Sequence, residues 1–209
     1  MRTLVIDTAT EACSVALFDD DALVAGEFRM LGRGHAEQLV PMIAALPGRG
    51  RADRIAVNTG PGSFTGIRVG LAAARALQLA WGAKLYGYGS GALVAAMARA
   101  DEDEAEVDIA MTAGHGEWFF QRFADGRALD EEMTSLAPSA AAAVSHAPLV
   151  AGTQAEALVA ARGTGRAVAL WPDARRFALL ASAELDDDPH PAYGRAPDVR
   201  LPGGAAAAA

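Results

Sequence analysis

The order of predicted strands and helices repeats along the chain, and this repeat constrains the fold more than any other feature. Alternating apolar runs and turn residues predict the order βββαβαβα over residues 1–100. The same order returns over 107–185. The turn at Asp20 corresponds to the turn at Asp125, and the strand end at Asp7 to Thr112, each 105 positions further on. Such a repeat predicts two α/β lobes around a cleft.

Two α/β lobes of this order are the architecture of the actin, sugar-kinase and chaperone-ATPase class, so we predict an actin-like (ASKHA) fold. The alternative is an unrelated α/β domain with mixed sheets. The first lobe is predicted over 1–100 and the second over 107–172. Between them, 101–106 holds five acids in six positions and is predicted to be a solvated linker. A helix is expected over about 173–185, either within the second unit or packed back onto the first lobe, and 186–209 is expected to be a flexible tail.

Composition is that of an ordinary globular chain, with 52% hydrophobic and 21% charged residues. Cys13 is the single cysteine, so no internal disulfide can form, and a cytoplasmic location is expected. The first residues read as a strand rather than a signal peptide. The longest apolar helical stretch, Val69 to Ala83, contains Arg75 and Gln78, so no membrane span is predicted.

The net charge of −8 is unevenly distributed. Residues 1–100 carry 10 basic and 8 acidic side chains, whereas 101–209 carry 8 and 18. Phosphate neutralisation supplies most non-specific affinity for nucleic acid, and the chain has no basic stripe to provide it. If RNA is involved, a partner is expected to hold it.

The segment from Gly60 to Gly66, GPGSFTG, lies between a predicted strand and a predicted helix. Its glycines permit unusual backbone angles, and Ser63 or Thr65 could cap the helix. A structural turn with a cap is the first interpretation, and anion binding at the helix start is the second. The lysine of a P-loop is missing. Asp7 ends the first strand, where it either caps a turn or lies near a nucleotide; weak cofactor binding is therefore assigned to Asp7, Thr8, Gly62, Ser63 and Thr65.

Hydrolase chemistry has no sequence support. Ser63 lacks the flanking glycines of a nucleophile elbow, and no His-Glu-x-x-His occurs. Cys13 lies in an apolar strand and is interpreted as a core residue. No catalytic residue and no metal ligand are assigned.

Three stretches resemble the TsaB (YeaZ) family. They are Leu4–Thr10 with Cys13–Leu17, the His35-x-x-x-Leu39-x-Pro41 spacing, and Gly60–Gly70. Together they cover about residues 1–90. Beyond residue 100 the likeness weakens: Thr112-Ala113-Gly114 stands where members often carry Asp-Ala-Arg, although the PAYGR segment at 191–195 resembles the family's Pro-x-Tyr-x-Arg.

The resemblance implies a non-catalytic subunit of the bacterial complex that makes threonylcarbamoyladenosine beside the tRNA anticodon. Its partners would be the catalytic subunit TsaD and the ATPase TsaE, or a second copy of itself, with tRNA bound only through the complex. TsaD holds a metal with two histidines four positions apart; the corresponding pair here is His35 and Leu39, and leucine offers no lone pair. The alternatives are a stand-alone actin-like ATPase or small-molecule kinase, and a homodimeric binding module.

The resemblance also implies that the first two helices form the partner surface. Small residues recur every four positions on the second helix, which predicts a flat face for a partner helix. The assigned interface comprises His35, Leu39, Met42, Ile43, Gly66, Gly70, Ala73, Ala74 and Leu77. The alternative is that this face packs against the chain's own sheet.

Overall fold

A computed structural model describes residues 1–194. The first lobe contains β1 (Arg2–Asp7), β2 (Ala12–Asp19), β3 (Ala22–Met30), α1 (His35–Ala45), β4 (Arg54–Gly60), α2 (Phe64–Trp81), β5 (Lys84–Gly89) and α3 (Ser90–Glu102), with a 3-10 turn at Pro47–Gly50. The second contains β6 (Glu106–Gly114), β7 (Glu117–Ala124), β8 (Arg127–Ala128), β9 (Thr134–Leu136), α4 (Pro138–Val144), β10 (Leu149–Ala151), α5 (Ala155–Arg162) and β11 (Arg166–Val168). Two 3-10 helices follow, Ala174–Leu179 and Ser182–Glu184.

The two sheets share one strand order, which confirms the predicted duplication. The first sheet runs β3-β2-β1-β4-β5, with β1 antiparallel to β2 and parallel to β4. The second runs β8-β7-β6-β10-β11, with β6 antiparallel to β7 and parallel to β10, and β9 also pairs with β7. In each sheet the first strand of the unit is central. The predicted two-lobe, actin-like α/β fold is therefore confirmed.

Alternation along β1 determines which helices cover each face of the first sheet. Leu4 and Ile6 pack with α1 and α2, whereas Val5 packs on the opposite face. The helix α3 joins the lobes, because Leu93 lies in the Val5 cluster and Val94 lies in the core of the second lobe. Among residues 1–194, no helix is both long and apolar enough to cross a membrane.

The predicted acidic linker is partly helical. The helix α3 continues through Asp101 and Glu102 and ends where Asp103 adopts left-handed angles. Asp101 pairs with Arg176 at 2.7 Å, and Glu102 pairs with Arg166. These two carboxylates are therefore paired on the helix rather than solvated in a linker. The connection between α3 and β6 is only the short stretch 103–105.

Two further predictions of secondary structure were wrong. The predicted third strand of the second unit is split into β8 and β9, because the Asp130 carboxylate between them accepts the backbone N–H of Arg122 at 2.9 Å. The helix expected over 173–185 is replaced by the two 3-10 helices. Asp173 caps the first of them, and Phe177 packs against Phe18 and Tyr88 of the first lobe.

The segment predicted as a flexible tail is held against the first lobe over 186–194. Asp186 exchanges two backbone hydrogen bonds with Gly87, and the N–H of Ala192 donates to the Thr59 carbonyl at 2.8 Å. We call 186–194 the strap. Residues 195–209, including Arg195 of the PAYGR segment, lie outside the described residues.

Candidate functional site

A cleft of about 630 Å³ lies between the lobes. The first lobe contributes the turn after β1 and the start of α2, and the second contributes the end of β6 and the turn after it. The strap contributes Tyr193. The lining is largely apolar with a few polar groups, which is typical of small-molecule sites. Its residues are Ala9, Thr10, Glu11, Gly62, Ser63, Phe64, Arg68, Met111, Thr112, Ala113, Gly114, His115, Phe119, Thr153 and Tyr193.

The loop between β4 and α2 is fixed to the turn after β1. The backbone N–H of Ser63 donates to the Ala9 carbonyl at 2.6 Å, and the Thr8 hydroxyl donates to the Gly66 carbonyl at 2.7 Å. The Ser63 hydroxyl caps α2 by accepting from the N–H of Gly66 at 3.2 Å. A Cβ at Gly62 would lie 2.1 Å from the Ala9 oxygen, so only glycine fits there. The geometry favours a structural turn with a helix cap.

Asp7 is enclosed by hydrogen-bond donors below the cleft. Its carboxylate accepts from Asn58 Nδ2 at 2.6 Å, from the Tyr88 hydroxyl at 2.9 Å and from the N–H of Ala9 at 3.2 Å. Asn58 Oδ1 in turn accepts from the Ser90 hydroxyl at 3.0 Å, so Ser90 joins this network. Burial raises the pKa of Asp7 to about 7, although the three donors oppose that rise. Burial beside Asp7 also raises the pKa of Tyr88.

The structure separates the residues assigned to weak cofactor binding. Gly62 and Ser63 line the cleft. Asp7 and Thr8 are buried beneath it, 1% and 0% exposed, with their polar atoms engaged by the protein. Thr65 is exposed on α2 and does not line the cleft. Nucleotide binding by these residues stays a prediction.

The structure corrects three of the interface residues predicted on α2, because Gly66, Gly70 and Ala74 pack on the chain's own sheet. A Cβ at Gly66 would lie 2.0 Å from the Thr8 carbonyl oxygen, and one at Gly70 would lie 2.4 Å from Thr8 Oγ1. Ala74 is 0% exposed and belongs to the first-lobe core. Ala73 and Leu77 are half-buried and pack against that core. The small side chains let α2 approach β1 closely.

The predicted interface residues on α1 are also internal. Leu39, Met42 and Ile43 lie in the first-lobe core at 5% exposure or less. His35 is buried, and its Nε2 lies 3.2 Å from the Ala12 carbonyl oxygen. The periodicity that marked these residues is the helix's core stripe. Within residues 1–194, no three His, Cys, Asp or Glu side chains are grouped to hold a metal.

A different part of the same two helices is exposed and apolar. Val40 is 63% exposed on α1, and Ala36 and Ala44 lie on the same side of that helix. On α2, Ala72 and Ala76 are exposed and Ala73 is half-buried. We call Ala36, Val40, Ala44, Ala72, Ala73 and Ala76 the α1–α2 face. On α1, each exposed residue of this face follows a buried core residue by one position along the chain.

Sequence reasoning missed an aromatic shelf at the mouth of the cleft. The Phe64 and Tyr193 ring centroids are 4.9 Å apart, and the Arg68 guanidinium lies 3.6 Å from the Phe64 centroid. Arg68 Nε also donates to the Tyr193 hydroxyl at 3.0 Å. Phe64 and Arg68 are one helical turn apart, which was a visible signal. Tyr193 was hidden because it lies 125 residues further along the chain than Arg68.

A family sequence model and curated relatives of this chain point to the same family. Residues 29–174 match the sequence model described as TsaD: tRNA N6-adenosine threonylcarbamoyltransferase. The chain is 44% identical over 84 residues to the tRNA threonylcarbamoyladenosine biosynthesis protein TsaB of Escherichia coli, covering 38% of this chain and 36% of that protein. It is 40% identical over 94 residues to the Haemophilus influenzae protein of the same name, covering 41% and 37%. The matched segment thus spans little more than a third of these curated relatives.

Solved structures match over a much longer stretch. A Pseudomonas aeruginosa protein described as similar to peptidase YEAZ superposes with a TM-score of 0.77 at 27% identity, covering 93% of this chain and 99% of that one. YeaZ from Pseudomonas aeruginosa gives a TM-score of 0.70 at 27% identity, covering 84% and 87%. Sequence model, relatives and fold agree, and the chain belongs to the TsaD-type threonylcarbamoyltransferase family and, within it, to the TsaB (YeaZ) branch.

Proposed function

We propose that this chain is a partner subunit, with no catalytic residues of its own, in the formation of tRNA threonylcarbamoyladenosine. Membership of the TsaB branch and the names of the curated relatives support the process. The α1–α2 face supports the role, and it is the observation that carries the proposal. The proposed partner is a TsaD-type catalytic subunit, which a TsaE-type ATPase joins.

The α1–α2 face suits a protein partner because of what it exposes. Its six side chains are aliphatic, and five of them are alanine, so a partner helix can approach the backbone closely. Val40, at 63% exposure, provides a larger side chain that a partner would bury. Apolar surface at two adjacent helices, lying beside a well-packed core, is typical of protein interaction sites.

The proposed lack of catalysis is supported by the state of the reactive side chains. By the family resemblance Leu39 stands where TsaD has its second histidine, and His35 Nε2 lies 3.2 Å from the Ala12 carbonyl oxygen. The Ser63 hydroxyl caps a helix, and Cys13 is buried with its pKa raised to about 12 by burial, so its thiol stays protonated. A net charge of −8 argues that tRNA is held by the partner.

Co-purification with a TsaD-type subunit tests the proposal. Val40→Arg and Ala76→Arg each place a charge on the α1–α2 face, and each is expected to abolish capture while leaving the melting temperature near that of the parent. Leu129→Arg is the matched control, because Leu129 is 59% exposed on the second lobe, away from the face. Undiminished capture by both face variants would contradict the docking surface.

The same face also suits a second copy of the chain, which is the alternative occupant. Light scattering of the isolated protein distinguishes the two cases. A dimer that Val40→Arg converts to a monomer, combined with no capture of the TsaD-type subunit, would replace the proposed role by a homodimeric binding module.

A further inference from the structure

The inter-lobe cleft contains a cation that the protein positions without neutralising it. Arg68 is held by its stacking on Phe64 and by its hydrogen bond to Tyr193, and both contacts leave its remaining N–H groups available. Within the described part of the chain no carboxylate pairs with it. A guanidinium fixed by aromatic rings has already lost much of its rotational freedom, so binding an anion costs it little further entropy.

The same cleft contains a carboxylate that is also positioned but not neutralised. Glu11 is half-buried in the turn after β1, and its Oε1 accepts from Trp171 Nε1 at 2.8 Å. Over residues 1–194 no basic side chain forms an ion pair with it, and Arg68 in particular does not. The first-lobe side of the cleft thus presents one positive and one negative side chain, a combination of charges that favours a zwitterion over a polyanion.

The backbone around the cleft also argues against a polyphosphate. Two of the backbone N–H groups at the start of α2 are already engaged, because that of Ser63 donates to the Ala9 carbonyl and that of Gly66 to the Ser63 hydroxyl. A phosphate-binding loop needs such groups to point at the ligand. Glu11 would repel a triphosphate, and no lysine lines the cleft.

The opposite wall, from the second lobe, provides an apolar surface with a hydroxyl pair. Met111 and Phe119 line it, and the hydroxyls of Thr112 and Thr153 lie 3.2 Å apart and bond to each other. Gln154 Nε2 donates to Thr112 Oγ1 at 2.8 Å, so the two hydroxyls already have hydrogen-bond partners within the protein. An apolar side chain of a ligand would find mainly carbon here.

We propose that the inter-lobe cleft binds a free amino acid with an apolar side chain. Arg68 receives the α-carboxylate and Glu11 receives the α-ammonium, while the side chain lies against Met111 and Phe119. Tyr193 of the strap positions Arg68 for this contact by accepting the hydrogen bond from Arg68 Nε. The volume of about 630 Å³ accommodates even the largest apolar amino acids.

Calorimetric titration of the isolated chain tests the site with L-phenylalanine and L-leucine. Phenylacetate and phenethylamine are matched probes, because each keeps the ring and lacks one of the two charges. The amino acid is expected to bind at least about tenfold more tightly than either, since each lacks one charged contact. Inorganic phosphate and ATP complete the series and are expected to bind more weakly than the amino acid.

Three variants connect binding to the named residues. Arg68→Gln and Glu11→Gln are each expected to weaken L-phenylalanine binding at least about tenfold, and Tyr193→Phe, which keeps the ring, by a smaller factor. Arg33→Gln changes an exposed arginine of the β3–α1 connection and is expected to have no effect. Melting curves verify that each variant is folded.

Three results would overturn the amino-acid site. The first is that neither amino acid binds at about 10 mM, and the second is that phenylacetate binds as tightly as L-phenylalanine. The third is that ATP binds more tightly than the amino acids and that Arg68→Gln abolishes this ATP binding. Because the titration uses no partner subunit, each of these results leaves the proposed partner role standing.

Discussion

Replacing Gly70 with alanine tests whether the small residues of α2 belong to the protein's own core. A Cβ at Gly70 would lie 2.4 Å from Thr8 Oγ1 and 3.5 Å from Val57 Cγ2. The Thr8 hydroxyl is itself buried and donates to the Gly66 carbonyl at 2.7 Å. The new methyl group therefore has to displace a hydroxyl that is already hydrogen-bonded.

Three opposing terms set the expected change in the free energy of unfolding. Alanine is favoured over glycine within a helix by about 1 kcal/mol. Overpacking a close-packed core costs about 1–3 kcal/mol, and losing a buried hydrogen bond costs about 1 kcal/mol or more. The sum is a net loss of about 1–3 kcal/mol, and each kcal/mol lowers the melting temperature of a chain this size by about 2–4 °C.

Urea denaturation followed by circular dichroism measures this loss. Thr8→Ala removes the obstructing oxygen, so the Thr8→Ala/Gly70→Ala double variant is expected to be less destabilised than the sum of the single variants. A stabilisation of about 1 kcal/mol by Gly70→Ala alone, as at an open helical position, would refute the packing argument.

Three further predictions concern other parts of the chain. Burial raises the pKa of Asp7 from 3.8 to about 7, so between these pH values the folded state keeps a proton that the unfolded state releases. The free energy of unfolding should therefore fall as pH rises from about 4 to 7, by up to about 4 kcal/mol. The plot of unfolding free energy against pH should be shallower for Asp7→Asn, and an unchanged slope would contradict this argument. Arg162→Ala leaves the buried Asp108 carboxylate without its cation and should cost about 3–5 kcal/mol in urea denaturation, whereas a loss below about 1 kcal/mol would show that Ser145 suffices. The isolated chain should not shift tRNA in a gel at about 150 mM salt, and a shift at sub-micromolar protein would contradict the charge argument.

Periodicity and turn residues were sufficient to predict most of the fold. Apolar runs bounded by Asp20 and Asp125 located the corresponding hairpins, and their fixed offset predicted the duplication that the two sheets show. The pattern failed where one side chain redirected the backbone. The Asp130 carboxylate interrupts a strand because it accepts the backbone N–H of Arg122 on the neighbouring strand. Local sequence propensity contains no information on such a contact between strands.

The candidate site was harder to predict, because small and apolar residues on a helix serve a core and an interface equally well. The spacing of Gly66, Gly70 and Ala74 was real, but it marked the approach of α2 to β1. The Cβ distances to Thr8 at Gly66 and Gly70, together with the full burial of Ala74, distinguish the two interpretations. The shelf residue Tyr193 could not have been placed either, because its position depends on the strap crossing the first lobe.

Reconstituted tRNA modification tests the central claim most directly. A TsaD-type subunit, a TsaE-type ATPase, tRNA and the threonylcarbamoyl donor are combined with and without this chain, and threonylcarbamoyladenosine is quantified by mass spectrometry of the digested tRNA. We predict product only when this chain is present, none from this chain alone, and none when Val40→Arg replaces the parent. Equal product without the chain, or product from the chain and donor alone, would contradict its role as a required, non-catalytic partner.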